Sequence, residues 1–356
     1  MHIKALSKLA LLGFLASVVA HPGEEHHELN KEHSLRIREY KEQTRRGLAA
    51  CGSKMKRSGV TARAEARRRV AASQHRKRAL ELRDTDAVLN TTHNATGSGM
   101  TMFTPESTLF ASNTSCALNP EGETGPYWVK GEHIRSDLRE RQAGVPMVID
   151  GQFLDVETCE PIQGLWWDVW NCNATGVYSG LVATGNGNTD DTSNLNATFL
   201  RGVQQSDADG VVQFQSVFPG HYSGRTTHIH MVAHLNATVL ANNTLTGGSV
   251  AHVGQLFWDQ DLINAVEATY PYNTNDIAIT ENADDRVFST ETADTDSVPV
   301  LEYVYLGPEL SDGVFGWVTI AVNTSATYDP NYSYVYTASG GVAESGGTVT
   351  VNKNKR

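Results

Sequence analysis

The chain has 356 residues, 40 Asp and Glu against 29 Lys and Arg, and a net charge of −11. That length suits one large domain with appendages or two modest ones, and an acidic balance argues against nucleic acid as a partner. Charge is unevenly placed: residues 1–83 hold 19 Lys and Arg and 8 Asp and Glu, a balance of +11, and the rest hold 10 and 32, a balance of −22.

Lys4 and Lys8 flank the start of an apolar run from Leu9 to Val19, and Val18-Val19-Ala20 supplies small residues before His21. This pattern predicts a secretory signal peptide over residues 1–20. The run is too short to span a bilayer and no later one is longer, so a soluble, secreted, extracellular protein is expected. Nine Asn-x-Ser/Thr sequons, at Asn90, Asn94, Asn113, Asn173, Asn196, Asn236, Asn242, Asn323 and Asn331, agree with a glycoprotein. Cys51, Cys116, Cys159 and Cys172 allow two disulfides in three connectivities. Cys159 and Cys172 flank an expected hairpin and are one candidate pair.

Residues 21–83 are rich in Arg, Lys, Glu and Ala and read as a basic helical or flexible segment. Arg45-Arg46, Lys56-Arg57 and Lys77-Arg78 are dibasic sites, which fits a propeptide. An oligomerisation arm, which leaves a homodimer open, or a plain solvated helix fits the same composition. Residues 84–115 are rich in Thr, Asn and Ser and read as a glycosylated linker.

From residue 116 to 337 short apolar runs alternate with turn signals. Strands are expected over Met147–Val156, Leu165–Trp170, Val211–Phe218, His228–Leu235, Val250–Trp258 and Val314–Val322. The pattern predicts an all-β sandwich of mostly antiparallel strands. Residues 338–356, rich in Gly and Ser, read as a flexible tail.

One stretch concentrates the chemistry: Phe218-Pro219-Gly220-His221-Tyr222-Ser223-Gly224-Arg225-Thr226-Thr227-His228-Ile229-His230. On a strand, His228 and His230 leave the same face and can reach one metal ion. Tyr222 follows a Pro-Gly turn that can bring its phenol to that point, and Arg225 adds a fixed charge. Tyr178, after Trp170 and a turn, lies where a strand-end cleft would place an aromatic hydroxyl, although a tyrosine so placed is more often a rim residue than a ligand. His234 shares the strand face of the two histidines, as in a cupin-like His-x-His-x-x-x-His site, but no Glu accompanies it.

Four motifs in order resemble the intradiol ring-cleavage dioxygenases, and more closely their secreted fungal branch. They are Gly125-Pro126-Tyr127-Trp128, Asp168-Val169-Trp170 leading to Gly176-Val177-Tyr178-Ser179, Pro219-Gly220-His221-Tyr222, and Arg225-Thr226-Thr227-His228-Ile229-His230. The resemblance implies a mononuclear Fe(III) site with Tyr178, Tyr222, His228 and His230 as ligands. It further implies Arg225 and Gln255 as catalytic groups, Tyr222 as the ligand that leaves the metal to act as a base, and Trp170 on the substrate cleft. The implied activity is cleavage of catechol-type diols with O2, between the two hydroxyl carbons, to muconate-type diacids. The family's usual Arg-Pro-Ala-His is Arg225-Thr226-Thr227-His228 here, and the loop between Tyr222 and His228 is shorter than in the bacterial enzymes. A secreted module that binds aromatic polymer or iron without catalysis, or a cupin-like metalloenzyme, would be the alternatives. A decayed site would be expected to lose a tyrosine or the arginine first.

Overall fold

The structure, a computed structural model, describes residues 51, 54–80, 115–116, 124–183, 185–187, 191–292, 299–330 and 332–343. The signal-peptide region, nearly all of the expected linker and the end of the tail lie outside these residues. In chain order the elements begin with α1 (Val60–Leu80), β1 (Ser115–Cys116), β2 (Val129–Lys130), β3 (Pro146–Asp155), β4 (Trp166–Trp170), β5 (Arg201–Gln205) and β6 (Val211–Val217). They continue with β7 (His228–Leu235), β8 (Thr238–Val239), β9 (Leu245–Thr246), β10 (Ser249–Phe257), α2 (Gln260–Glu267) and α3 (Arg286–Thr292). The last are β11 (Glu302–Tyr305), β12 (Val314–Val322), β13 (Tyr334–Thr337) and β14 (Gly340–Ala343).

Two sheets face each other. One is antiparallel throughout, in the order β10-β7-β4-β5; the other runs β1-β12-β3-β6 with β11 also on β12, and its β12–β3 and β1–β12 pairs are parallel. The alternation of β7 decides what goes where. Ile229, Met231 and Ala233 point into the core between the sheets, where they meet Trp167 and Val169 of β4 and Ile149 and Phe153 of β3. His228, His230 and Val232 therefore leave the opposite face. Val232 joins a second cluster there, with Tyr127, Trp128, Trp170, Tyr178 and Tyr222. A small third sheet, β14-β13-β2, brings Trp128 and Val129 and, from β13, Tyr334 and Tyr336 onto that cluster. The site thus forms on the outside of the sandwich but beneath its own cover.

Three features differ from the sequence reading. Cys51 pairs with Cys159 across 108 residues, so the Cys159–Cys172 alternative is overturned; Cys172 is a buried thiol that donates to the Gly220 carbonyl. The first residues of the expected Gly-rich tail are part of the sheet, because Gly340–Ala343 pair with β13 as a hairpin. The basic helix α1 is docked rather than solvated. Ala71 and Ala72 pack on Val148, Val304, Phe315 and Trp317, and Arg67 and Arg68 both reach the fully buried Asp150. Gln213 Nε2 completes that carboxylate's shell at 2.7 Å. Alanines make too thin an apolar stripe to signal this face, and its strongest anchor is ionic.

Candidate metal centre

Three donor atoms converge on a fourth, His228 Nε2. His228 Nε2 lies 3.2 Å from the Tyr222 hydroxyl, 3.5 Å from the Tyr178 hydroxyl and 3.0 Å from His230 Nε2. His228 Nδ1 lies 2.6 Å from the Thr226 carbonyl, which can only accept, so Nδ1 carries the proton and Nε2 keeps its lone pair. All four side chains are at most 2% exposed. The expected metal-ligating residues are therefore gathered at one point, three from the Pro219–His230 stretch and Tyr178 from a loop that is distant in sequence.

The loop carrying Tyr178 is fixed by its own amides. Asn186 accepts from the Tyr178 N–H at 2.7 Å and donates to its carbonyl at 2.9 Å, and Asn194 donates to the same carbonyl. Asn173, one of the sequon residues, spends its carboxamide inside this loop, accepting from the Thr175 and Val177 amides and donating to Gln142. Gly176, at φ 79°, lets the loop touch the Tyr222 loop; a Cβ there would sit 2.2 Å from the His221 carbonyl oxygen. The β13–β14 hairpin braces the loop from outside, with Tyr334 donating to the Val182 carbonyl. Gly341 lies so close that a Cβ would stand 1.9 Å from the Gly180 carbonyl oxygen. Gly341→Ala should therefore push Gly180 and its neighbour Tyr178, costing about 1–3 kcal/mol in a denaturant titration.

Arg225 is fully buried, and Tyr222, Gln255 and Asp285 are among its contacts. Nη1 lies 3.4 Å from the Tyr222 hydroxyl, Nη2 donates to Gln255 Oε1 at 2.5 Å, and Nε donates to Asp285 Oδ2 at 2.8 Å. Gln255 stands directly opposite His230 in the β10–β7 register. Trp170, also opposite His230 across β4–β7, stacks on its imidazole with ring planes 2° apart and centroids at 5.0 Å. Trp170 is thus a backing for His230. His234 does not join them. It turns to Asp168, 3.4 Å away, and to the Trp128 ring, so the three histidines of β7 do not make one site. Among the described residues no group of three or more His, Cys, Asp and Glu has the arrangement of a metal site, so the donor set is a mixed tyrosine and histidine one.

The electrostatics test whether a cation fits. Burial pushes both phenols above their ordinary pKa, and each is raised further by neighbouring acidic groups, Tyr222 beside Tyr178 and Tyr127 beside Tyr222. Arg225 pulls the other way but does not win. Two phenolates would therefore need a strongly charged cation against their oxygens, and two phenolates with two neutral imidazoles are a hard set suited to a ferric ion. The residues present fit that group.

Three neighbours were not singled out from sequence. Tyr127 is fully buried, its ring 4.8 Å from that of Tyr178 and 5.6 Å from that of Tyr222; the Gly125-Pro126-Tyr127-Trp128 motif was its only signal. His221 bridges Glu267 and the Ile277 carbonyl and so ties the Tyr222 loop to α2. Asp285, before α3, had only its pattern as a helix N-cap, since its Oδ1 accepts from the Phe288 amide.

Residues 124–261 match a protein-family model described as Dioxygenase. An intradiol ring-cleavage dioxygenase from Tetranychus urticae is 30% identical over 60% of this chain and 98% of its own, with a TM-score of 0.49. The dioxygenase domain of a dioxygenase–carbohydrate-binding fusion from Streptomyces sp. SirexAA-E is 23% identical over 58% and 97%, with a TM-score of 0.35. A hydroxyquinol 1,2-dioxygenase from Pseudomonas putida DLL-E4 is 18% identical over 59% and 67%, with a TM-score of 0.37. No curated protein matches the chain.

Proposed function

Since the chain belongs to the intradiol ring-cleavage dioxygenase family, we propose that it opens catechol-type aromatic diols between their two hydroxyl carbons with O2, at a ferric ion held by Tyr178, Tyr222, His228 and His230. The family uses non-haem iron and acts on catechol substrates with O2. The observation that carries the assignment here is the convergence of two phenol oxygens and a second imidazole nitrogen within 3.5 Å of His228 Nε2.

A ferric ion held by Tyr178, Tyr222, His228 and His230 would supply Lewis acidity that draws electron density from the diol's ring and makes it reactive toward O2. The chain's own residues do the rest. The Tyr222 oxygen accepts a proton from the arriving diol, and Arg225 Nη1, 3.4 Å away, steadies that oxygen while it carries charge. Buried and anchored, the Arg225 guanidinium also faces the negative charge that grows on the ring, where a preorganised donor is worth about 3–4 kcal/mol. Gln255 holds Nη2, and Trp170 keeps the His230 imidazole in its plane. Both atoms of O2 end in a muconate-type diacid.

Secretion is part of the same reading. The apolar run after Lys8, the sequons and the Cys51–Cys159 disulfide support it, because such a bond persists in an oxidising compartment. Purified protein should contain iron, show a visible tyrosinate-to-metal absorption that moves to longer wavelength with catechol under anaerobic conditions, and release the diacid once O2 is admitted. A protein that stays colourless after iron loading would overturn the four-ligand site. One that is coloured and binds catechol but never consumes O2 would instead be a binding module.

A further inference from the structure

Arg225 reaches Tyr222, Gln255 and Asp285 with different nitrogens of one guanidinium. The Arg225 and Asp285 side chains are both fully buried. Asp285 Oδ2 accepts from Arg225 Nε at 2.8 Å and from the Thr226 amide at 2.9 Å, while Oδ1 accepts from the Phe288 amide at 2.8 Å. The carboxylate is thus pinned by the start of α3 and meets the guanidinium at Nε. Nη1 and Nη2 are left to face Tyr222 and Gln255. A side-on bidentate grip, the usual way a carboxylate takes arginine, would have cost the guanidinium one of those contacts.

The same carboxylate also steadies the peptide behind the histidines. Thr226, whose amide it holds, uses its carbonyl to orient His228. A parallel strut runs from the Thr226 hydroxyl to Asn282 Oδ1, and from Asn282 Nδ2 to the Trp258 carbonyl. Burial works to raise the Asp285 carboxyl, but Arg225 beside it outweighs burial and holds it below the usual carboxylate range, so it is charged. It is therefore the counter-ion that a buried arginine requires. Asp285 lies beyond residue 261, where the match to the family model ends.

We infer that Asp285 is a positioning residue for ring cleavage: it aims the Arg225 guanidinium at Tyr222 and Gln255. This rests on the function proposed above.

The test compares wild type, Asp285→Asn, Arg225→Gln and the double variant, each as the full iron-loaded chain with catechol. Asp285→Asn should lower kcat about 10- to 100-fold with KM altered less than about 3-fold, since aim and not diol binding is lost. In the Arg225→Gln background the same change should cost less than about 2-fold, because the effect runs through Arg225. A further drop of about 10-fold or more in that background would overturn the inference. If Asp285→Asn alone does not fold, the comparison of Arg225→Gln with the double variant, which leaves no unpaired charge, still decides it. Solvent exchange of the Arg225 Nε–H in the iron-free full-length chain separates this claim from the function itself. Exchange at least about 10-fold faster in Asp285→Asn supports positioning even if the wild type cleaves no diol, and unchanged exchange refutes it.

Discussion

Tyr178→Phe and Tyr222→Phe should each lower ring cleavage by roughly 10²–10³-fold or more and alter the visible absorption, with little change in fold. Phenylalanine fills the same space, and each substitution deletes one oxygen that lies within 3.5 Å of His228 Nε2. The two variants should differ in kind. The Tyr178 backbone is braced by Asn186 and Asn194, so its substitution should remove the proposed ligand and leave the rest of the site in place. Tyr222 is also the group that Arg225 Nη1 faces, so its substitution should remove the proposed ligand and the proposed proton acceptor together. O2 uptake, iron content and the visible spectrum, measured on both proteins, check this. A variant that keeps both the absorption and the turnover of the wild type would remove that tyrosine from the site.

Asp150→Ala should destabilise the protein by about 3–5 kcal/mol, because it leaves Arg68 buried without its counter-charge. Arg68→Met combined with Asp150→Leu should recover most of that loss, since a well-packed apolar pair avoids the desolvation of two charges. Urea unfolding of the three proteins is the measurement, and an Asp150→Ala protein within about 0.5 kcal/mol of wild type would contradict the packing of α1 described above. The pair also sets an acid limit. Burial tends to raise the Asp150 carboxyl, but Arg67 and Arg68 together outweigh it and hold the carboxyl below its ordinary value. Burial does win on Arg68, lowering its pKa, yet the guanidinium stays charged, so the carboxylate is the group that titrates. With the folded pKa depressed, the stabilisation is present above about pH 4 and is lost as pH falls through the folded value. Loss of α1 contacts should therefore begin on the acid side of about pH 4.

Much of the sandwich was legible because its strands are nearly uninterrupted apolar runs. The expected His228–Leu235 and Val314–Val322 coincide with β7 and β12, and Val250–Trp258 is displaced by one residue from β10. The helices α2 and α3 and strand β11 went unseen, being short and set among polar residues. Local spacing alone exposed His228, His230 and Tyr222, since a strand's two-residue repeat and one turn bring them together. Tyr178 needed the family resemblance, because nothing near it in sequence states which loop it will meet. Asp285 had no such help: it contacts Arg225 across 60 residues, and an aspartate before a short helix reads as a cap. Docking of α1 was hidden for the opposite reason, in that a run of arginines suggests solvent and says nothing of a buried aspartate.

The Cys51–Cys159 bond changes what a processing protease could release. Lys56-Arg57 and Lys77-Arg78 both lie between the two bonded cysteines in sequence, so a cut at either leaves the fragments covalently joined. Arg45-Arg46 lies before Cys51, and a cut there sheds everything upstream. A chain nicked at one inner site would run as one species without reductant and as two with it, and after a cut at Lys77-Arg78 most of α1 would stay on the sandwich until the disulfide and the Asp150 cluster had both been broken.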